Sequence, residues 1–200
     1  MELIFILMAP SRPENVGAAA RALKTMGFSR MRVVASQAHT REEASWVAHG
    51  AQEILQQTQG FASLPEALAD LDLVVATTAR QRGGSLRYLT PDQVCSQIRS
   101  KSSLQRVGIL FGCEESGLSN EQLAQADLVS YLPLKVSYPS LNLGQAVMLY
   151  AYELSSLLDE SEQRDVVEYP ADGTVHALQS KIANILDEVA VGQHEKLREW

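Results

Sequence analysis

Runs of apolar, β-prone residues alternate along this chain with stretches of helical character, and this alternation limits the possible folds more than any other feature. The apolar runs lie at residues 3–8, 31–35, 71–77, 107–112 and 128–134. The helical stretches between them lie at residues 15–26, 44–57, 91–101 and 120–125. Strands that are apolar along their whole length are buried on both faces. The pattern therefore predicts an α/β fold with a mostly parallel sheet flanked by helices and joined by right-handed crossovers.

The C-terminal part of the chain holds two further helical segments with an acidic stretch between them. Residues 141–158 are apolar on almost every side, which indicates a helix buried either in the domain core or against a partner subunit. Apolar residues then recur at spacings of three and four in residues 175–189, as in an amphipathic helix. We therefore expect three parts: a domain at residues 1–160, an acidic linker at 161–173 and an amphipathic helix at 174–200.

Charge gives a mixed indication about partners. The 200 residues include 24 acidic and 17 basic side chains, for a net charge of −7. Taken alone, this charge argues against a nucleic-acid partner, because phosphate binding requires local positive charge. Residues 80–87, however, contain Arg80, Arg82 and Arg87 and no acid. A chain that is acidic overall can still present one basic face.

Cysteine and histidine usage predicts a cytoplasmic protein without a metal site. Cys95 and Cys113 are too few for a disulfide framework and suit a reducing compartment. The four histidines have no ligand spacing. No apolar run is long enough to span a membrane, and the apolar residues 1–9 lack the basic start of a signal peptide, so we interpret them as a buried strand.

The first motif, Asn15-x-Gly17-x-x-x-Arg21, follows the first predicted strand. The small residues at positions 17–20 allow a close approach to this helix, and Arg21 offers a planar, permanently charged group suited to phosphate or carboxylate. Taken alone, the segment favours the simpler interpretation of a well-packed helix with a surface arginine.

The second motif, Phe111-Gly112-x-Glu114-x-x-Gly117-Leu118, follows the fourth predicted strand. Its glycines permit tight turns and a close approach of backbone to a ligand. Ligands bind at the carboxyl ends of strands in open α/β sheets. An ordinary β–α loop is the alternative, because the motif lacks the lysine of a phosphate loop and the third glycine of a dinucleotide-binding turn.

The third motif, Ser140-Leu141-Asn142, precedes the apolar helix. Serine and asparagine at this place most often cap a helix. Two such residues offer more hydrogen-bonding groups than one cap needs, so capping and ligand contact stand as equal alternatives.

Together and in this order, the three motifs resemble those of the SpoU–TrmH branch of the SPOUT methyltransferases. The run Thr77-Thr78-Ala79-Arg80 is also similar to an element of the TrmJ and LasT-like subgroup. The resemblance covers residues 1–160 and implies a SPOUT fold with a deep C-terminal trefoil knot. It further implies a homodimer formed through the knot region, and an enzyme that uses S-adenosylmethionine to methylate the ribose 2′-oxygen of tRNA or rRNA, leaving S-adenosylhomocysteine.

The resemblance also implies roles for individual residues. Arg21 lies closest to the ribose hydroxyl, Asn15 orients the ribose or Arg21, and Glu114 holds the glycine loop or Arg21. Ser140 and Asn142 line the reacting end of the pocket. The expected cofactor-binding residues are Thr77, Thr78, Ala79, Gly112, Glu114, Leu132, Leu134, Ser140, Leu141, Asn142 and Leu143. The expected RNA-binding residues are Arg12, Arg80, Arg82 and Arg87.

Cys113 departs from the subgroup, which often has arginine between the glycine and glutamate of the second motif. The change removes a positive charge near the expected site, and it bears on the identity of the RNA more than on cofactor binding. One alternative is a protein of the same fold that binds cofactor or RNA without activity. The other is a Rossmann-like enzyme acting on a small metabolite, against which the missing glycine fingerprint argues.

Overall fold

A seven-stranded parallel sheet forms the centre of the first unit of the chain, residues 1–161, as far as the structure describes it. The computed structural model describes residues 1–79, 81, 87–135, 141–158 and 181–182. The strands within these residues are β1 Glu2–Met8, β2 Arg30–Val34, β3 Gln59–Phe61, β4 Leu73–Thr78, β5 Tyr88–Leu89, β6 Arg106–Phe111 and β7 Leu128–Tyr131. They are ordered β3-β2-β1-β6-β4-β7-β5, and every neighbouring pair is parallel.

Helices cover both faces of this sheet. The described helices are α1 Pro13–Thr25, α2 Glu42–Val47, α3 Gln52–Gln57, α4 Leu64–Leu68, α5 Pro91–Arg99, α6 Asn120–Leu123 and α7 Leu143–Ser155. Side chains of β1 alternate between two hydrophobic clusters, with Phe5 in the cluster that includes α1 and α7 and Ile6 in the cluster on the opposite face. Both are fully buried. The prediction of a mostly parallel sheet flanked by helices is therefore confirmed.

Several local predictions need correction. The predicted helix at 44–57 is two helices, α2 and α3, because Gly50 adopts a left-handed φ of 72° between them. The short elements β3, β5 and α4 were not predicted, since two to five residues are too few to carry a periodic pattern.

Some expectations fall outside the described residues. Residues 136–140, which connect β7 to α7, are among those not described, so the trefoil knot stays a prediction. Residues 1–161 form one compact unit and residues 162–200 another. Of the second unit only Lys181 and Ile182 are described, so the acidic linker and the C-terminal helix also stay predictions. Among the described helices, none has the length and apolar character needed to cross a membrane.

Small residues of α1 bring two other helices of the same chain close to it. A Cβ atom on Gly17 would overlap the backbone carbonyl oxygen of Ala44 in α2. A Cβ on Gly144 in α7 would lie 2.7 Å from the Cβ of Ala18. The small side chains at 17–20 therefore serve helix packing, which is the simpler of the two interpretations. This packing holds α1, with Asn15 and Arg21, against the start of α7.

Replacing Gly17 with alanine tests this packing. We expect Gly17→Ala to lower the free energy of unfolding by about 1–3 kcal/mol, because the methyl group forces α1 and α2 apart. Urea unfolding followed by circular dichroism measures the change. Gly60→Ala is the matched control, since its Cβ meets only the imidazole of His39, at 3.3 Å. Helix propensity alone favours alanine by about 1 kcal/mol, so a Gly17→Ala protein more stable than the parent would contradict the proposed packing.

Candidate active site

A cavity of about 620 Å³ opens at the carboxyl ends of β4, β6 and β7. The segments after these three strands and the start of α7 surround it. Nine of the residues expected to bind cofactor line this cavity: Thr77, Thr78, Ala79, Gly112, Glu114, Leu132, Leu134, Leu141 and Leu143. The second and third motifs and segment 77–79 thus meet at one place, at the sheet edge where open α/β folds bind ligands.

Two aromatic residues that the sequence analysis missed also line the cavity. The rings of Phe111 and Tyr150 meet edge to face, with centroids 5.4 Å apart. The Tyr150 hydroxyl donates to Ser130 Oγ at 2.9 Å, and Ser130 in turn donates to the carbonyl of Leu89 at 3.0 Å. Burial raises the pKa of Tyr150 to about 12. Tyr150 is therefore a neutral, structural side chain at neutral pH, and it links α7 to β7 and β5.

The two glycines of the second motif shape the loop that follows β6. A Cβ on Gly112 would overlap the backbone of Gly117 and Leu118, so the loop can fold back on itself only if this residue is glycine. Gly117 adopts a left-handed φ of 69°, and its N–H donates to the carbonyl of Cys113 at 3.0 Å. Gly112 thus permits a close approach of backbone to backbone within the loop.

Glu114 is the centre of the hydrogen bonding around this loop. Its Oε2 accepts from the backbone N–H of Ser11 at 3.0 Å and from the Ser11 hydroxyl at 3.1 Å. Its Oε1 accepts from the backbone N–H of Arg12 at 3.4 Å and from Asn15 Nδ2 at 2.8 Å. Burial raises the pKa of Glu114, but these bonds outweigh burial and hold the pKa below its ordinary value. The carboxylate therefore fastens the loop between β1 and α1.

Asn15 extends this network to the third motif. Its side chain is buried, and Oδ1 accepts from Asn142 Nδ2 at 2.7 Å. Asn142 Oδ1 accepts from the backbone N–H of Gly144 at 2.8 Å and so caps α7. Asn142 therefore does cap the helix, and it also bonds to Asn15. Through Glu114, Asn15 and Asn142, side chains join the three motifs directly.

Arg21 lies outside this network. It is exposed on α1, six residues beyond Asn15 and about 9 Å farther along the helix axis. Glu114 and Asn15 bond to each other and to neighbouring loops and not to Arg21, so of the two alternatives for Glu114 the hydrogen bonds fit the one in which it holds the glycine loop. Within the described residues the guanidinium has no hydrogen bond or ion pair, which leaves its donors available to an external anion.

The remaining expected site residues are partly described. Arg12 and Arg87 are exposed, beside Glu114 and at the start of β5 respectively. Arg80, Arg82 and Ser140 lie outside the described residues. Cys113 is half-buried with its Sγ 3.1 Å from Ser116 Oγ, and this hydrogen bond lowers its pKa although partial burial opposes the shift. Within the described part of the chain, no cluster of three or more His, Cys, Asp or Glu side chains could hold a metal ion.

Comparisons with known proteins identify relatives of this chain in both sequence and structure. Residues 2–152 match the model of the SpoU rRNA Methylase family. The uncharacterized tRNA/rRNA methyltransferase LasT of Escherichia coli is 45% identical over 202 residues, covering 100% of this chain and 87% of LasT. The tRNA (cytidine/uridine-2′-O-)-methyltransferase TrmJ of Photorhabdus laumondii is 34% identical, covering 82% of this chain and 70% of TrmJ. The crystal structure of TrmJ from Z. mobilis superposes with a TM-score of 0.72 at 34% identity, over 98% of this chain and 84% of that one.

Replacing Glu114 with glutamine tests the network. We expect Glu114→Gln to cost about 1–3 kcal/mol of unfolding free energy at neutral pH, because an amide nitrogen then faces N–H donors that need an acceptor. The pKa of Glu114 is lowered in the folded state, so its stabilising contribution exists above the unfolded pKa and is lost as pH falls through the folded pKa. The difference from the parent should therefore shrink as the pH is lowered from about 5 to 3.

The neighbouring Glu115→Gln provides the control for this measurement. It removes the same charge from an exposed position of the same loop. Denaturant unfolding of both variants across this pH range gives the comparison. Equal stability of the two variants at neutral pH would show that the contacts of Glu114 do not hold the motifs together.

Proposed function

This chain belongs to the SpoU rRNA methylase family, and on that premise we propose that it is an enzyme that methylates the ribose 2′-oxygen of RNA. The methyl donor is S-adenosylmethionine, and S-adenosylhomocysteine is the product. tRNA is the proposed substrate, because the TrmJ relative, 34% identical, is named for 2′-O-methylation of tRNA. The single observation that carries the proposal is the cavity at the strand ends, which is lined by nine of the residues expected to bind the cofactor.

The residues around the cavity suit this cofactor. A volume of about 620 Å³ is within the range of small-molecule sites, which are apolar walls with a few polar groups. Leu132, Leu134, Leu141 and Leu143 supply apolar surface for an adenine ring. The backbone of segment 77–79 and of Gly112 supplies hydrogen-bonding groups. Ser140 and Asn142 are proposed to face the reacting end.

The bound cofactor supplies an activated methyl group on a sulfonium, so the protein has to position the ribose and assist loss of the hydroxyl proton. A guanidinium has no acceptor and cannot take that proton at neutral pH. Arg21 therefore binds the adjacent phosphate and stabilises negative charge as it develops on the 2′-oxygen. Its exposure, and the lack of any hydrogen bond or ion pair to its guanidinium from the residues that the structure describes, support this role.

Asn15 and Glu114 are positioning residues in this mechanism. Their hydrogen bonds hold the start of α1 against the glycine loop and the cap of α7, so the helix that carries Arg21 keeps its place beside the cavity. Arg12, Arg80, Arg82 and Arg87 bind phosphates of the RNA backbone and supply the positive charge that this binding requires of an otherwise acidic chain. The protein is further proposed to act as a homodimer.

We expect Arg21→Ala to leave the affinity for S-adenosylhomocysteine unchanged and to reduce methyl transfer by about 100-fold or more, because it removes charge stabilisation used only in the transition state. Calorimetric titration and transfer of labelled methyl groups to unfractionated tRNA measure the two properties. Lys24→Ala, an exposed cation on the same helix, is the control. Equal loss of binding and turnover would make Arg21 a structural residue.

Mass spectrometry of tRNA from cells lacking the protein would identify the nucleotide that the protein methylates.

The dimer has its own test on α7. Val147, Tyr150, Ala151 and Leu154 face the domain core, whereas Leu149 and Tyr152 on the same helix are 41% and 66% exposed. We expect the protein to be a dimer in light scattering at micromolar concentration, and the double variant Leu149→Glu/Tyr152→Glu to be a monomer, because two charges would be buried without partners. Trp46→Glu replaces another exposed aromatic residue, on α2, and should remain dimeric. A parent protein that is monomeric would contradict the proposed homodimer.

A further inference from the structure

A second cavity, of about 510 Å³, lies beside the proposed active site and has no part in the function described above. Its walls are Met8 and Ala9, at the end of β1, together with segment 116–120 and Gln122. Cys113 and residues 116–118 line both cavities. A single loop after β6 therefore forms a wall between the two spaces.

Defined backbone contacts hold the boundaries of this second cavity. The loop is closed by the hydrogen bond between Gly117 N–H and the Cys113 carbonyl, and these two residues form an isolated antiparallel bridge. On the other side Ala9 has a left-handed φ of 45°, which is unusual for alanine, and its N–H donates to the carbonyl of Val34 at 2.8 Å. This turn directs the chain from β1 towards Ser11, which Glu114 holds.

The side chains that line the second cavity carry no charge. Met8 and Leu118 supply apolar surface, and Ser116, Ser119, Asn120 and Gln122 supply hydroxyl and amide groups. A phosphate would require basic side chains, which this lining does not contain. A nucleobase matches it better, because a base is neutral, has polar edges, and presents a flat face that a methionine thioether contacts favourably.

The side-chain amide of Gln122 can donate a hydrogen bond into the cavity. Its amide oxygen accepts from the backbone N–H of Ser119 at 2.8 Å as part of the cap of α6. Within the described residues, its amide nitrogen makes no hydrogen bond. The amide nitrogen can therefore donate to an acceptor on the edge of a base.

We propose, on the basis of the function above, that this cavity binds the base of an RNA nucleotide adjacent to the one that is methylated. Proteins that read single-stranded RNA turn bases out of the stack and bind their edges in such pockets. The exposed Arg12 follows Ala9 by three residues, so their Cα atoms are at most about 11 Å apart. Arg12 binds the phosphate of the nucleotide whose base enters the cavity. The second cavity thus gives the enzyme a preference for the neighbouring base.

The variant Gln122→Glu tests this subsite without removing the cap. Glutamate is the other residue that completes such a cap, so α6 should form normally. The substitution replaces the free donor by an anion that repels the acceptor edge of a base. Gln125→Glu is the matched control, because it introduces the same charge at an exposed position three residues farther along the chain, outside the cavity lining.

Two measurements on the full chain decide the matter, both with unfractionated tRNA. Ultraviolet crosslinking followed by peptide mass spectrometry should place crosslinks on Met8 or on segment 117–122. Filter binding should show at least about fivefold weaker tRNA binding for Gln122→Glu than for Gln125→Glu, with equal affinity for S-adenosylhomocysteine. Crosslinks confined to other segments, or equal tRNA binding by the two variants, would overturn the proposal.

Further outcomes distinguish failure of the proposed base subsite from failure of the proposed methyltransferase function. Crosslinks at Met8 in a protein that transfers no methyl group would support the base subsite and contradict the catalytic function. Thermal stabilisation by free nucleosides that is lost in Gln122→Glu, with tRNA crosslinks only elsewhere, would assign the cavity to a free nucleoside instead and overturn the RNA subsite.

Discussion

The arrangement of the site depends on one chain of side-chain hydrogen bonds, from Glu114 through Asn15 to Asn142. These residues are 99 and 127 positions apart in sequence, yet each amide finds its partner within 2.8 Å. Asn15 is buried, and a buried amide without partners would be costly, so the network is satisfied only when all three motifs are together. The need to pair the buried amide groups with hydrogen-bond partners thus selects a single relative position for the β1–α1 loop, the glycine loop and α7.

Close helix packing makes that position available. Gly17 admits the carbonyl of Ala44, and Gly144 admits Ala18, so α1 lies against both α2 and α7 with little side chain between them. On the sheet side, Tyr150 and Ser130 attach α7 to the strands beneath the cavity. The helix α7, which lines the cavity proposed for the cofactor, is therefore held both by α1 and by the strands. Such a rigid frame suits a reaction in which positioning supplies much of the rate enhancement.

The loop after β6 serves two spaces at once. One side lines the cavity proposed for S-adenosylmethionine, and the other lines the neutral cavity proposed for a base of the RNA. Glu114 in this loop also accepts hydrogen bonds from Ser11 and Arg12, so the same loop is attached to the segment between β1 and α1. Cys113, in the same loop, provides a small neutral side chain at this shared wall, where arginine would bring a charge.

Local periodicity predicted the strands with apolar runs and the helices α1 and α7, and the resemblance of the ordered motifs to a known family implied nine of the residues that line the cavity. Neither of them revealed that 44–57 breaks at Gly50, that the partner of Gly17 is the carbonyl of Ala44, or that Glu114 accepts hydrogen bonds from Ser11. That the side chains of Phe111 and Tyr150 line the cavity was likewise not predicted. These features depend on contacts between residues far apart in the chain, which only the tertiary structure brings together.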